Sequence, residues 1–219
     1  MLTLGIDTST MTATVGLSDG QKEIVSYEIT EGVFNSEELT DMIEDMFSHV
    51  KYTIKDVELF AVGVGPGSFT GTRIAVTMAR TFSQILKKPI VGVSSLRAMS
   101  MIDSKEDVLV LVDAKRKRAY YGLYSRNGEE VIMEDGIKNI DEILETMDKP
   151  FKITGTGTKV FEEKLNSDNI INRNIRGVNI AKLGEMIYKE RGADNLEEVL
   201  PNYLAVSQAE AQFNEKHGL

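Results

Sequence analysis

The 219-residue sequence contains no cysteine and only two histidines, His49 and His217. Disulfides, thiolate metal sites and a cysteine nucleophile are thereby excluded, and a histidine-rich metal centre is short of ligands. Long apolar runs are missing too: no stretch of the sequence approaches the roughly 20 residues needed to cross a bilayer as a helix. Net basic charge is also lacking. With 25 Lys and Arg against 34 Asp and Glu the formal charge is -9, and such a chain repels a polyanion, because nucleic-acid affinity rests on cations that neutralise phosphates. Any RNA involved is therefore expected to be held by a partner. The opening residues, MLTLGIDTST, carry no basic segment and reach Asp7 after a short apolar run. They read as a first strand rather than a leader, and the expectation is a cytoplasmic protein with no membrane span.

What is present reads as an ordinary α/β chain, with 42% hydrophobic and 27% charged residues, long enough for one large domain or two small ones. Residues 2–7, 12–18 and 23–29 are rich in β-branched side chains and separated by the polar turns TST and SDGQK, which predicts a meander. Behind Asn35 or Ser36 as N-cap, Leu39, Met42, Ile43, Met46, Phe47 and Val50 recur at helical spacing. A buried strand over 59–64, a helix from about 70 to 87 and a strand over 89–93 complete a βββαβαβ unit.

The second half repeats the first. At a constant offset of 106, Asp7 falls on Asp113, Ala13 on Ala119, Gly16 on Gly122 and Leu17 on Leu123. A helical stretch over 141–147, the strand and glycine turn FKITGTG at 151–157 and a helix over 179–191 continue the order of elements. Agreement between spacing and order is what internal duplication predicts. Two similar α/β lobes follow, 1–100 and 101–219, divided near residues 95–106, with the terminal stretch PNYLAVSQAEAQFNEKHGL as a packing arm or frayed helix.

The loop GVGPGSFTG, residues 63–71, invites a phosphate-binding reading and fails it. A Walker loop needs a lysine where Thr72 and Arg73 follow Gly71, and a dinucleotide fingerprint needs wider spacing than Gly63, Gly65 and Gly67 provide. A tight turn feeding a helix remains. That helix carries an apolar stripe, Ile74, Met78, Phe82 and Leu86, beside a small stripe, Gly71, Ala75 and Ala79. Either both stripes pack within the chain, one on the sheet and one on the preceding helix, or one of them meets a partner.

Asp7 with Thr8 and Ser9 ends the first strand, and Asp113 ends its counterpart in a turn, Asp113-Ala114-Lys115-Arg116, that lacks a small glycine-like residue. The pair reads as a weakened nucleotide site or as local turn caps. The dense basic run KRKR, residues 115–118, is either a solvated hairpin or a contact for phosphates or an acidic partner. No Ser, His and Asp set suggests a nucleophilic triad.

Taken together, LGIDTST, AVGVGPGSFTGTRIAVTMA, PIVGVSSLRAM, LVDAKRKRAYYGLY and PNYLAVSQAEAQ cover nearly the whole chain and resemble the TsaB (YeaZ) family. The resemblance implies the ASKHA fold of actin, hexokinase and Hsp70, two duplicated lobes with mixed sheets and flanking helices. It also implies a noncatalytic role in forming threonylcarbamoyladenosine in tRNA, beside a catalytic TsaD subunit and the ATPase TsaE, with ATP used by the complex and no cofactor required by this chain. tRNA would be met indirectly. Family members form a homodimer, or pair with TsaD, through two helices of the first lobe. Carried over, those helices expose Leu39, Met42, Ile43 and Met46 on one side and Gly71, Arg73, Ile74, Ala75, Met78, Ala79 and Phe82 on the other. The alternative from the paired aspartates is an ASKHA-type small-molecule kinase or ATP-binding protein.

Overall fold

A computed structural model describes residues 1–30, 35–147 and 151–205. Residues 206–219, most of the expected terminal arm, lie outside them. The first half folds as β1 (Leu2–Asp7), β2 (Thr12–Asp19), β3 (Lys22–Thr30), α1 (Ser36–Ser48), β4 (Leu59–Gly63), α2 (Phe69–Leu86) and β5 (Ile90–Val93). The meander, both helices and the closing strand thus stand where hydrophobic periodicity put them. Asn35 caps α1 through a capping box: its side chain accepts from the Glu37 and Glu38 amides at 2.8 and 3.0 Å, and Glu38 accepts from the Asn35 amide. The strands form a sheet in the order β3-β2-β1-β4-β5, antiparallel across the meander and parallel from β1 to β5.

After α3 (Ser95–Met99), the second half repeats the scheme with β6 (Asp107–Asp113), β7 (Arg118–Tyr124), β8 (Val131–Asn139), α4 (Ile140–Glu145), β9 (Phe151–Thr154) and α5 (Gly157–Val160). Its sheet order, β8-β7-β6-β9, matches the first four positions of the other sheet. The repeat is topological, and the residue offset is not kept throughout. Asp7 lies opposite Thr14, whereas Asp113 lies opposite Ala119 and not Tyr120 as a constant offset of 106 requires. The second hairpin is therefore paired one residue out of step, so Gly122 does not occupy the place of Gly16.

The last helix, α6 (Gly177–Arg191), belongs to the second half in sequence and packs on the first sheet. Arg176 ahead of it pairs with Glu23 at 2.5 Å, and the Gly177 amide donates to Thr14 Oγ1 at 2.5 Å. The approach is close enough that a Cβ on Gly16 would lie 2.1 Å from the Val178 nitrogen, and one on Gly177 would lie 2.1 Å from the Val15 carbonyl carbon. α1 and α2 cover the opposite face, so the sheet is buried on both sides, and Leu2, Leu4, Ile6, Leu39, Met46 and Phe60 share one core. A second core joins Val91, Val93, Leu96, Val108, Val110 and Leu183, and so links the two sheets through α3 and α6. Arg97 on α3 reinforces that link by donating to the Gly128 and Glu129 carbonyls, each at 2.8 Å. Nearby, buried Tyr124 donates to Asp135, and burial raises the pKa of both groups.

Among the described residues no helix is long and apolar enough to cross a membrane. Because α6 meets backbone at Gly16, Gly16→Ala should destabilise the protein by about 1–3 kcal/mol or more, the range expected of an overpacked core. Urea denaturation checks this, and a variant as stable as the parent would contradict the close approach.

Candidate functional site

The GVGPGSFTG loop is built around a buried carboxylate. Asp7, at the end of β1, is fully enclosed, with 0% of its surface exposed. Its Oδ1 accepts from the Ser9 amide and hydroxyl, both at 2.7 Å, and its Oδ2 accepts from Ser95 Oγ at 2.5 Å. Ser95 in turn accepts from the Gly65 amide at 3.0 Å and donates its own amide to the Gly65 carbonyl at 2.9 Å. The Asp7 turn and the loop then touch along their backbones: the Ser68 amide donates to the Ser9 carbonyl at 2.6 Å, and Thr8 Oγ1 donates to the Gly71 carbonyl at 2.6 Å. Side chains would not fit there. A Cβ at Gly67 would stand 2.1 Å from the Ser9 oxygen and one at Gly71 would stand 1.9 Å from the Thr8 oxygen. The loop glycines therefore seat α2 against the end of β1, as a packing turn does.

The two aspartates are not assembled as a nucleotide grip. Asp7 and Thr8 are sealed inside, whereas Ser9, Thr10 and Met11 border the cleft between the lobes. Asp113 borders that cleft, but its Oδ1 accepts from the Lys115 amide at 2.8 Å and its Oδ2 from Lys115 Nζ at 2.7 Å. The cleft has a volume of about 940 Å³ and runs between the first turn, the start of α2 and the second turn. Sequence reasoning left the KRKR run without a place, and the fold gives it one: Lys115, Arg116 and Arg118 line the cleft. Lys115, Arg116 and Lys117 have φ of 63°, 55° and 61°, a left-handed run that non-glycine residues seldom adopt. The Ala114 amide to the Arg118 carbonyl, at 3.0 Å, closes this turn.

The expected interface residues divide into two groups. Leu39, Met42, Ile43 and Met46 on α1 are buried in the first core, and Ala75 and Ala79 on α2 are 0% exposed. These six side chains offer no surface for a partner in the folded chain. The small stripe faces the sheet, because small residues are what allow α2 to lie close over β4 and β1; it does not await another helix. Gly71 is half-buried beneath Thr8. The outward side of α2 is different. Ile74, Met78 and Phe82 are half-buried, with Phe82 stacked on Phe60 at 5.9 Å, while Thr77, Thr81 and Ile85 are exposed, Ile85 by 70%. On a helical wheel Ile74, Thr77, Met78, Thr81 and Ile85 form one uncharged band. The apolar stripe pointed to this side, but Ile85 and the threonines fell outside the strict four-residue spacing. Arg73 edges the band: its Nε donates to Tyr203 Oη at 2.6 Å and its guanidinium lies 3.9 Å from the Phe69 ring centre.

Burial raises the Asp7 pKa above the ordinary carboxylate value, against the lowering effect of hydrogen bonds from Ser95 and Ser9. The folded state therefore keeps the Asp7 proton to higher pH than the unfolded chain does, and its stability contribution declines as pH rises through that window. Asp7→Asn removes the charge, so its stability relative to wild type should shift in the variant's favour as pH rises from about 4. Urea denaturation across that range checks the sign. Ser95→Ala, which strips a donor from Asp7 and an acceptor from Gly65, should cost about 1–3 kcal/mol.

The family model described as "TsaD: tRNA N6-adenosine threonylcarbamoyltransferase" matches residues 35–213. A Bacillus subtilis protein named "tRNA threonylcarbamoyladenosine biosynthesis protein TsaB" is 30% identical over 98% of this chain and 99% of its own. The Escherichia coli protein of the same name is 25% identical over 74% of each chain. Among solved structures, YeaZ from Pseudomonas aeruginosa superposes with a TM-score of 0.78 at 22% identity, covering 93% of this chain and 99% of that one, which shows a shared fold. The duplicated sheets, with α1 and α2 on one face of the first sheet and α6 on the other, make the two-lobe α/β fold shared with that structure. With that fold in place and identity at this level over nearly its full length, the chain belongs to the TsaB (YeaZ) family.

Proposed function

We propose that this chain is a noncatalytic subunit of a cytoplasmic system that forms N6-threonylcarbamoyladenosine in tRNA, and that it binds and activates a TsaD-like catalytic subunit through the outward side of the α1/α2 layer. The family membership supports the process. The observation that carries the contact is the uncharged band Ile74, Thr77, Met78, Thr81 and Ile85 on α2. It joins Ile74 and Met78, half-buried against the first core, to the exposed Thr77, Thr81 and Ile85, the last 70% exposed, in a chain with 27% charged residues. Interfaces gather apolar residues and exclude charge at their centre. The same band serves a homodimer when the partner is absent, with a TsaE-like ATPase supplying ATP turnover to the complex and tRNA met through the catalytic subunit.

The chain's own residues support a positioning role over a chemical one. Asp7 is used inside the fold, Asp113 is held by Lys115, and the sequence has neither cysteines nor more than two histidines. A kinase reading needs an aspartate presented to the cleft with its oxygens available for a metal-nucleotide complex, and these geometries do not favour it. Isothermal titration of the isolated chain with magnesium-ATP separates the two readings, since a kinase of this fold binds its nucleotide without a partner.

A paired substitution tests the contact. Met78→Glu with Ile85→Glu should weaken association with the TsaD-like subunit by about 2 kcal/mol or more, as hot-spot losses do, while the variant stays folded with a melting temperature lowered by the lost packing of Met78 on the core. Ala79→Glu should instead unfold the protein, because that position is closed against the sheet. Analytical ultracentrifugation and surface plasmon resonance with the purified partner check both. Undiminished binding by the folded double variant would contradict the proposed surface.

A further inference from the structure

Arg73 is an exposed cation at the edge of the α2 band, and its side chain is held in place from two sides. The guanidinium lies 3.9 Å from the Phe69 ring centre and 5.6 Å from that of Tyr203, and its Nε donates to Tyr203 Oη at 2.6 Å. The two rings are stacked on each other at 4.6 Å. Tyr203 is fastened in turn, because the neighbouring Asn202 amide donates to the Val64 carbonyl at 2.7 Å. Segments 130 residues apart thus meet to orient one side chain.

Those contacts use one face and one nitrogen of the guanidinium. Among the described residues Arg73 makes no ion pair, and its two terminal nitrogens donate to no atom. Other ordered arginines spend those nitrogens within the chain: Arg97 on the Glu129 carbonyl, Arg176 on Glu23 and Arg191 on Asp194. A side chain already fixed in one rotamer has less freedom to lose on binding. A planar fork with both terminal nitrogens unengaged matches a carboxylate, two oxygens to two N–H donors. Covering the site would also strengthen the contact of cation and ring, which gains when water is removed.

The charge order of the helical layer agrees. α1 carries five acids, Glu37, Glu38, Asp41, Glu44 and Asp45, all exposed, and no Lys or Arg, whereas α2 carries Arg73 and Arg80 and no acid. Asp45 pairs with His49, and among the described residues no α1 carboxylate reaches an α2 arginine. An acid approaching this layer is therefore repelled along α1 and attracted at the Arg73 end of α2.

We infer that Arg73 is a preset anchor for a carboxylate side chain of the TsaD-like subunit, with Phe69 and Tyr203 holding the guanidinium in the geometry that receives it. The inference rests on the reading that this layer binds that subunit. It adds the chemistry the partner brings: an acid at the Arg73 end of the contact and none along α1.

A phosphate would meet the same fork, so the test uses purified protein subunits free of tRNA and nucleotide. Surface plasmon resonance of the full-length chain against the TsaD-like subunit is run over a salt series, with a melting curve for each variant. Arg73→Ala should stay folded and weaken association at least about tenfold. Its association should also depend less on salt, a readout that lost packing alone does not move. Arg73→Lys keeps the charge and loses the fork, so it should remain at least about threefold weaker than wild type. Tyr203→Phe keeps the ring and removes the acceptor for Nε, and should weaken association about two- to tenfold. Lys138→Ala removes a cation 5.9 Å from the Tyr121 ring in the second lobe and should change nothing. The inference is overturned if folded Arg73→Ala binds as tightly as wild type or if Arg73→Lys restores full affinity. It is also overturned if the loss appears only when tRNA or nucleotide is added, which assigns the fork to a phosphate. Met78→Glu with Ile85→Glu is measured beside these variants: lost association there with full affinity in Arg73→Ala refutes the anchor and leaves the proposed surface standing, and a wild type that does not associate overturns both.

Discussion

One buried carboxylate organises the functional end of the molecule. Asp7 sits at the C-terminal end of the central strand β1, and its two oxygens bind Ser9 in the next turn and Ser95 at the start of α3. Ser95 passes the constraint to Gly65, and the backbones of the first turn and the GVGPGSFTG loop then close on each other. Enclosing a charged group is costly unless hydrogen bonds compensate. Here three donors converge on it, and burial still outweighs them in the direction of its pKa. The arrangement fixes where α2 begins, and so which of its sides meets the sheet and which remains outward. From the sequence the strand-end aspartate reads as part of a weakened nucleotide site and the glycine loop as a tight turn feeding a helix; in the fold Ser95 links the two.

The second organising contact is the return of the chain. After β9 the polypeptide crosses back, and α6 lies on the first sheet so closely that Gly16 and Gly177 leave no space for side chains. Beyond α6 the Asp194 carboxylate accepts from the Gly92 amide, and the Asn202 amide donates to the Val64 carbonyl beside the loop. With α6 on one face and α1 and α2 on the other, the first sheet is covered within the chain. The proposed partner contact uses the outer side of the helical layer, and the cleft lies between the two hairpin turns. Tyr203 connects these regions, since it borders the cleft and receives the Arg73 hydrogen bond at the edge of the α2 band.

Much of the fold was legible in the sequence because its signals are local. The helical spacing of Leu39, Met42, Ile43 and Met46 behind Asn35 gave α1 and its cap, and alternation with polar turns gave the meander. Duplication was legible in element order, though the four aligned identities overstated it: a one-residue difference in hairpin pairing removes Gly122 from the place of Gly16. Orientation was the harder part. Ala75 and Ala79 mark a close approach, and a helix or a sheet makes the same demand, so the sequence could not say which lay across from them. Nor could spacing show that Asp7 points inward, which depends on Ser95, 88 residues away. The placement of KRKR on a cleft wall likewise depends on how the two sheets face each other.

The central claim is that the chain serves threonylcarbamoyladenosine formation by holding a partner rather than by performing chemistry. Mass spectrometry of nucleosides from tRNA of cells depleted of this chain, and then supplied with either wild type or the Met78→Glu, Ile85→Glu variant, tests it most directly. The account predicts that the threonylcarbamoyl nucleoside falls on depletion and returns with wild type but not with the folded variant. A nucleoside level that stays unchanged on depletion, in a cell with no second copy, would contradict it.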